Sequence, residues 1–309
     1  MNRGFWAAVG AFLIWGLLPL YLRQLHEVPA LQIMAHRLLW CCLFVNIWLL
    51  TRGEFGKLRF ALAVPATRWR LLATAFLVSL NWLIYVWGVN NGHVVETSLG
   101  YFINPLVNVL LGVVVLRERL NRVQWSAVAL AAAGVIYLTW LSGAPPWIAL
   151  SLAITFSCYG LIRKMVAVDA ITGLGAETLL IAPLGLAYLL WLEAQGSGQF
   201  GHAGRYIDSL LFLGGLVTAV PLALFAFGAR LIPYSTIGLI QYIGPTLQLL
   251  LGVFLFREPF TGARAIGFGL IWAALVVYAA EGLIRARRLR QATLAATATA
   301  GAPAASGTS

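Results

Sequence analysis

Long apolar blocks follow one another along this chain, at about 4–22, 29–50, 70–89, 94–116, 123–141, 147–163, 173–192, 209–229, 234–256 and 264–283, with short polar and basic segments between them. A helix crosses the hydrocarbon layer in about 20 residues, so the pattern predicts ten transmembrane helices and an all-α membrane protein. The composition agrees. Apolar residues make up 61% of the 309 and charged residues 10%, with a mean hydropathy of +0.87, whereas soluble domains are about 45–50% apolar and about 25% charged. A water-soluble protein is excluded, and ten spans leave too little chain for a separate soluble domain. The first block follows Met1-Asn2-Arg3 and lacks a small-residue cleavage site, so it reads as a retained anchor. After the basic group Arg285 to Arg290 the chain continues in Ala, Thr, Gly, Pro and Ser. That composition predicts a disordered tail over 291–309, with the arginines as a stop-transfer signal or a contact for anionic headgroups.

A net charge of +11 would suggest nucleic acid in a soluble chain, but here the basic residues sit at the ends of apolar blocks, where they set orientation. With the N-terminus inside, sixteen of the twenty-one Lys and Arg fall on the cytoplasmic side, four (Arg23, Arg205, Arg257, Arg264) fall outside, and Arg37 lies within a span. Both termini are therefore expected in the cytoplasm. Nucleic acid is not an expected partner; the lipid bilayer is. Cys41, Cys42 and Cys158 have no metal or redox spacing and read as small buried hydrophobes.

The sequence repeats itself. At an offset of 140, nine of the twenty positions from Leu99 to Glu118 are identical, including Pro105/Pro245, Gly112/Gly252, Arg117/Arg257 and Glu118/Glu258. Offsets of 141 and 144 set Ala35-His36-Arg37-Leu38-Leu39 on Ala176-Glu177-Thr178-Leu179-Leu180 and Trp15-Gly16-Leu17 on Tyr159-Gly160-Leu161. Two five-helix units follow, residues 1–142 and 143–284, with 285–309 as the tail. Five is odd, so the second unit enters the membrane from the opposite face. Inverted repeats are the architecture of many secondary transporters, because two such halves can open one midplane site to either side.

Polar side chains inside spans point to chemistry, since lipid offers them no hydrogen bonds. Tyr101, Asn104 and Asn108 form one helical stripe, and Gln241 and Gln248 stand at the equivalent places of the ninth block beside Tyr242. Pro105 and Pro245 remove backbone donors next to them, and Pro221 stands where the third block has Asn81; all three are predicted kinks. Asn81, Trp82 and Tyr85 extend the set. Two readings stand: these residues line a substrate cavity, or the amides bond neighbouring helices while the aromatics pack. His36 and Arg37 lie about seven residues into the second block, where something should face the arginine. Either Arg37 anchors an anion or substrate while His36, Glu96 and Glu177 carry protons, or Arg37 pairs with Glu96 and Glu177 caps a helix. The chain holds no Walker A, H-E-x-x-H, G-x-S-x-G or C-x-x-C motif, so no enzyme activity, metal or cofactor is expected.

The strings Trp15-Gly-Leu-Leu-Pro-Leu-Tyr21, His36-Arg37, Asn81-Trp82, Val89-Asn-Asn-Gly-His93, Ser98-Leu-Gly-Tyr-Phe-Ile-Asn-Pro-Leu-Val-Asn108, Tyr159-Gly-Leu-Ile-Arg163, Glu177-Thr178 and Gln241-Tyr-Ile-Gly-Pro-Thr246 resemble RarD-type proteins of the EamA family, in the drug/metabolite transporter superfamily. The resemblance covers residues 4–284. The chain departs from the family in its longer Ala/Thr-rich tail and in Arg257-Glu258, where a shorter side chain often precedes the acid. The resemblance implies a multi-pass bacterial inner-membrane protein of ten helices in two inverted repeats, with a central cavity between the third, fourth, eighth and ninth. It also implies transport of small metabolites or drugs such as amino acids, and the RarD name carries a chloramphenicol association. The family supplies no established site residue. A secondary transporter of a small organic molecule, with protons as coupling partner, is the expected function. The rival readings are a membrane-embedded lipid-handling protein or enzyme, and a regulatory subunit of a larger complex.

Overall fold

The structure, a computed structural model, describes residues 3–117, 120–142, 145–232 and 240–300. All regular structure among these residues is helical: α1 (Arg3–Arg23), α2 (Ala30–Thr51), α3 (Phe55–Ala63), α4 (Pro65–Asn90), α5 (Val94–Leu116), α6 (Arg122–Ser142), α7 (Trp147–Lys164), α8 (Ala170–Ala194), α9 (Arg205–Leu231), α10 (Ile243–Leu250) running into a π-helical stretch (Leu251–Leu255), and α11 (Gly262–Ala300). Eight of them are long and apolar enough to span a membrane, and Trp147–Arg163 and Ile243–Leu255 are shorter apolar helices. Local chemistry sets the starts. Pro29 and Pro146 precede α2 and α7, Pro65 opens α4, and Asp169 caps α8 by accepting the Thr172 N–H at 3.0 Å. Proline suits a first turn because its missing donor is one the turn leaves unpaired anyway.

Neighbouring helices can be oriented from the residues that meet. Gly4 lies against Gly228 and Leu231, while the Tyr21 hydroxyl donates to the Leu210 carbonyl at 2.8 Å, so α1 and α9 are antiparallel. Gly88 meets Ile148 and Asn81 bonds Leu152, so α4 and α7 are antiparallel too. Glu96 reaches Ile148 and Asn104 meets Ser157, which makes α5 and α7 parallel. Phe12 faces Gly244 and Gly16 faces Leu247, which makes α1 and α10 parallel. The C-terminal ends of α1 and α4 share one cluster of Leu18, Leu22, Leu25, Tyr85, Val86 and Val89. Helix α1 is thus parallel to α4 and antiparallel to α7.

Several expectations change. Helix α3 was not foreseen; its one turn of core contact, Leu58 and Ala61 against Leu49 and Leu174, is too short to register as an apolar block. Helical structure runs through Pro105 in α5 and Pro221 in α9, though each proline leaves a carbonyl without its helical donor, at Tyr101 and Val217. At Pro245 the helix does break. Gln241 and Tyr242 form a turn, and the Gln241 carbonyl is the one that Pro245 cannot bond. The start of the ninth block, 233–239, lies outside the described residues, as do Glu118 and the tail at 301–309. Helix α11 continues to Ala300, where a disordered tail was expected from 291. Ala, Leu, Arg and Gln are strong helix formers, and a helix already nucleated in the bundle propagates through them at little further cost.

Close backbone approach fixes the crossings. A Cβ on Gly215 of α9 would lie 2.5 Å from the Trp40 carbonyl carbon and 2.7 Å from the Cys41 nitrogen, both backbone atoms that cannot give way. Gly215→Val is expected to destabilise the protein by at least about 1–3 kcal/mol, read as a lowered unfolding midpoint in detergent. Gly269→Ala, with nothing within 4 Å of the added methyl, is expected to leave the midpoint unchanged or raise it.

Candidate functional site

Two charged clusters are buried among the helices. In the first, the helical register of α2 turns His36 and Arg37 inward, at 6% and 3% exposure. The Arg37 Nε and Nη2 both donate to the Thr218 hydroxyl of α9, at 3.2 and 3.1 Å, and that hydroxyl donates in turn to the Gly214 carbonyl. Arg37 Nη1 has no partner. The guanidinium carbon stands 5.4 Å from the Trp82 ring centroid, with Tyr21, Tyr85 and Tyr101 close by. Tyr85 packs edge-on against Tyr101, and its buried hydroxyl is also unpartnered. Among the described residues, no carboxylate lies within 4 Å of Arg37. The pairing with Glu96, one of the two readings of Arg37, is therefore absent: Glu96 accepts the Ile148 N–H at the start of α7, at 3.0 Å. His36 stacks on Phe200 with ring centroids 5.1 Å apart.

The second cluster centres on Glu177, 2% exposed and two turns into α8. Its carboxylate lies 3.6 Å from Arg163 Nε, accepts from the Tyr159 hydroxyl at 3.4 Å, and faces Thr74 of α4. Glu177 is thus an ion-pair partner and not a helix cap; the cap of α8 is Asp169. Arg163 also donates to the Asp169 carbonyl, at 3.2 Å, and Gly173 leaves it room, since a Cβ there would fall 2.2 Å from its Nη1.

The amides mostly tie helices together. Asn81 Nδ2 donates to the Leu152 carbonyl and the Thr155 hydroxyl of α7, both at 2.9 Å. Asn104 Oδ1 accepts from Ser157 at 2.6 Å, and Gln248 Nε2 donates to the Trp15 carbonyl at 3.1 Å. Asn81 Oδ1 and Gln248 Oε1 stay buried and unpartnered. Asn108 is exposed and Gln241 half-buried, so the predicted stripe does not stay on one buried surface. Tyr242 stacks on Phe102 and lines an open groove of about 400 Å³ with Thr246, Trp272, Leu275 and Val276. A second groove, of about 470 Å³, lies over Phe200, Asp208 and Phe212. Neither groove is lined by Asn81, Tyr85, Asn104 or Gln248, so these groups lie occluded between helices in this conformation.

Glu258 makes a helix-capping contact that sequence reasoning missed. Its carboxylate accepts the Val94 and Val95 N–H groups at 2.6 and 2.8 Å, joining the turn after the π-helical stretch to the start of α5. Burial pushes this carboxyl above its usual range, against the two N–H bonds that hold it down. Tyr21, Tyr159, Arg163, Thr74 and Thr218 were missed as well. Tyr21, Tyr159 and Arg163 end or begin strings already singled out, but their partners sit on other helices.

A many-helix membrane protein with charges and amides buried at its helix crossings has the build of a membrane transporter. Comparison with known proteins agrees. Residues 2–140 match the EamA-like transporter family. The chain is 43% identical to an uncharacterised transporter of Pseudomonas aeruginosa, over 94% of this chain and 98% of that one. It is 45% identical to protein RarD of Streptomyces exfoliatus, over 91% and 89%, and 33% identical to the chloramphenicol-sensitive protein RarD of Pseudomonas aeruginosa, over 94% and 97%. A crystal structure at 19% identity shares the fold, with a TM-score of 0.59 over 89% of this chain and 97% of its own. The chain belongs to the EamA-like transporter family, and its relatives include RarD proteins.

Removing one partner of a buried ion pair strands the other charge. Glu177→Ala is expected to destabilise the protein by about 3–5 kcal/mol, seen as a lower unfolding midpoint in detergent. Adding Arg163→Met to Glu177→Met is expected to recover most of that loss, because apolar replacement of a whole pair is often neutral or better.

Proposed function

We propose that this membrane transporter is a secondary carrier of a small organic metabolite or drug, exposing one central site alternately to the two sides through inverted units 1–142 and 143–284. The observation that carries the reading is the opposed direction of α1 and α7, the first helix of each unit. The packing is also crosswise: α1 lies antiparallel on α9 as α7 lies on α4, and α1 lies parallel to α10 as α7 lies to α5. Arg117 and Arg257, aligned at the offset of 140, both adopt left-handed backbone, with φ of 56° and 55°. Such conformations are uncommon for residues other than glycine, so a shared one speaks for a shared ancestry of the two turns.

The site in this reading lies between α4, α5, α9 and α10, around Asn81, Trp82, Tyr85, Tyr101, Asn104 and Gln248, and it opens when the helix contacts made by the amides part. Their unpartnered oxygens, Asn81 Oδ1 and Gln248 Oε1, would then meet solute or water. Amino acids and amphenicols are the candidate solutes, the latter through the name of one relative, the chloramphenicol-sensitive protein RarD. Protons drive the cycle through Glu177, the one carboxylate among the described residues that is fully withdrawn from the surface. Breaking its contacts with Arg163 and Tyr159 frees a proton acceptor inside the bundle. His36, buried with Nδ1 unpartnered, stays a second candidate, and Glu96 is held as a helix cap. The charge bias of the loops supports cytoplasmic termini, and the bacterial relatives support the inner membrane as the location.

Purified protein in sealed proteoliposomes is expected to accumulate a solute under an imposed pH gradient. The solute is to be chosen by thermal-shift screening of amino acids, nucleosides and amphenicols, because a ligand of the native state raises its midpoint. Glu177→Gln is expected to keep solute exchange and lose gradient-driven accumulation. If neutral replacement of His36, Glu96 and Glu177 together leaves accumulation unchanged, proton coupling is refuted; if no solute ever depends on the protein to cross, so is transport.

A further inference from the structure

We propose that Arg37 is an anion subsite of this carrier, and that the group it receives is the carboxylate of a small solute with an aromatic or apolar body. The inference rests on the transport reading above and gives it a substrate class.

Arginine keeps its charge in proteins and carries five N–H donors in a planar fork. Arg37 sits roughly 10 Å along α2 from its first residue at 3% exposure, too deep to reach a headgroup. An ion in such a place ordinarily has a counter-ion, because an uncompensated buried charge costs several kcal/mol. Among the described residues the five donors meet one protein acceptor: the Thr218 hydroxyl takes two bonds, and Nη1 takes none. The contrast within the same molecule is the counter-ion: half-buried Arg163 also has an unpartnered Nη1, but it has Glu177 beside it and two backbone carbonyls besides. If Arg37 served packing alone, an apolar side chain would fill its place without the penalty.

The surroundings narrow the missing partner. At the guanidinium the unsatisfied groups are Nη1, a donor only, and the Tyr85 hydroxyl, which can donate, so an acceptor satisfies both. One uncompensated cation calls for one negative charge, which a carboxylate supplies with the spacing of the guanidinium fork. The walls are rings, with Trp82 against the guanidinium face and Tyr85 and Tyr101 edge to face. Flat apolar surfaces of this kind take up an aromatic or hydrocarbon body and offer little to a polyol. Tyr21, whose hydroxyl bonds the Leu210 carbonyl, closes the pocket on the α1 side, so entry requires the α1–α9 contact to shift, as alternating access demands.

The test compares acids with their isosteric amides on the full-length protein in detergent: phenylacetate with phenylacetamide and indole-3-acetate with indole-3-acetamide. The acids are expected to raise the unfolding midpoint by about 3 °C at saturating concentration, and the amides to leave it unmoved. Arg37→Gln is expected to abolish the acid shift while its ligand-free midpoint stays level or rises, since it removes a stranded charge; a structural arginine would lower it. Tyr85→Phe, which deletes one unpartnered hydroxyl, is expected to weaken acid binding about tenfold with no loss of ligand-free stability. Equal shifts with acid and amide, an acid shift that survives Arg37→Gln, no shift with either acid, or a ligand-free midpoint that falls in both variants overturns the proposal. Flux in proteoliposomes separates it from the reading beneath it. Acid-dependent stabilisation without flux removes the carrier and keeps the subsite, whereas flux of a neutral solute untouched by Arg37→Gln removes the subsite and keeps the carrier.

Discussion

Hydrocarbon accepts no hydrogen bond, and the placement of most polar side chains described within the spans answers to that constraint. Backbone groups are satisfied within helices. Side chains that cannot be so satisfied are turned toward other helices, where their bonds become the joints of the bundle. Asn81 and Asn104 pin α4 and α5 to α7, Gln248 pins α10 to α1, and Thr218 links α9 to Arg37 on α2. In water these contacts would compete with solvent and mean little. In lipid, opening one without a polar replacement is penalised, so the bundle resists parting until water or a solute enters.

The two charged clusters share a plan. Arg37 of α2 and Glu177 of α8 each meet a threonine from the helix that crosses them, Thr218 of α9 and Thr74 of α4. The charges are opposite and so are their circumstances, since Glu177 has Arg163 while Arg37 has only a hydroxyl and ring faces. One cluster is closed on itself and the other is incomplete.

Much of this was legible in the chain. The first eight apolar blocks matched helices to within a few residues, and the tenth matched the start of its helix but not its end, because in a membrane hydropathy and span length measure the same thing. Arg37 declared itself by being a lone cation inside a span. What stayed hidden was partnership. Glu96 lies in the first turn of α5 and reads equally as a counter-ion or a cap; only the approach of α7 decides that it bonds Ile148. Asn81 reads as cavity-lining until Thr155 and Leu152 are seen opposite it. Helix α3 escaped because one turn of buried Leu58 and Ala61 beside Lys57 and Arg59 has no span-length signature.

Glu258 shows how a turn can govern a helix. Arg257 takes the left-handed conformation that ends the ninth block, and that reversal swings Glu258 onto the two free N–H groups at the start of α5. A carboxylate there balances the positive end of the helix dipole, and it does so from the opposite half of the chain. Glu96, the third residue of α5, accepts the Ile148 N–H at the start of α7 in turn. The three segments are thus joined in series through two carboxylates, so a displacement of α10 bears on α5, and one of α5 on α7. A carrier that moves its halves against each other needs couplings of this kind at its ends, where water can exchange with the bonds, while the lipid-buried amides hold the register of the helices between.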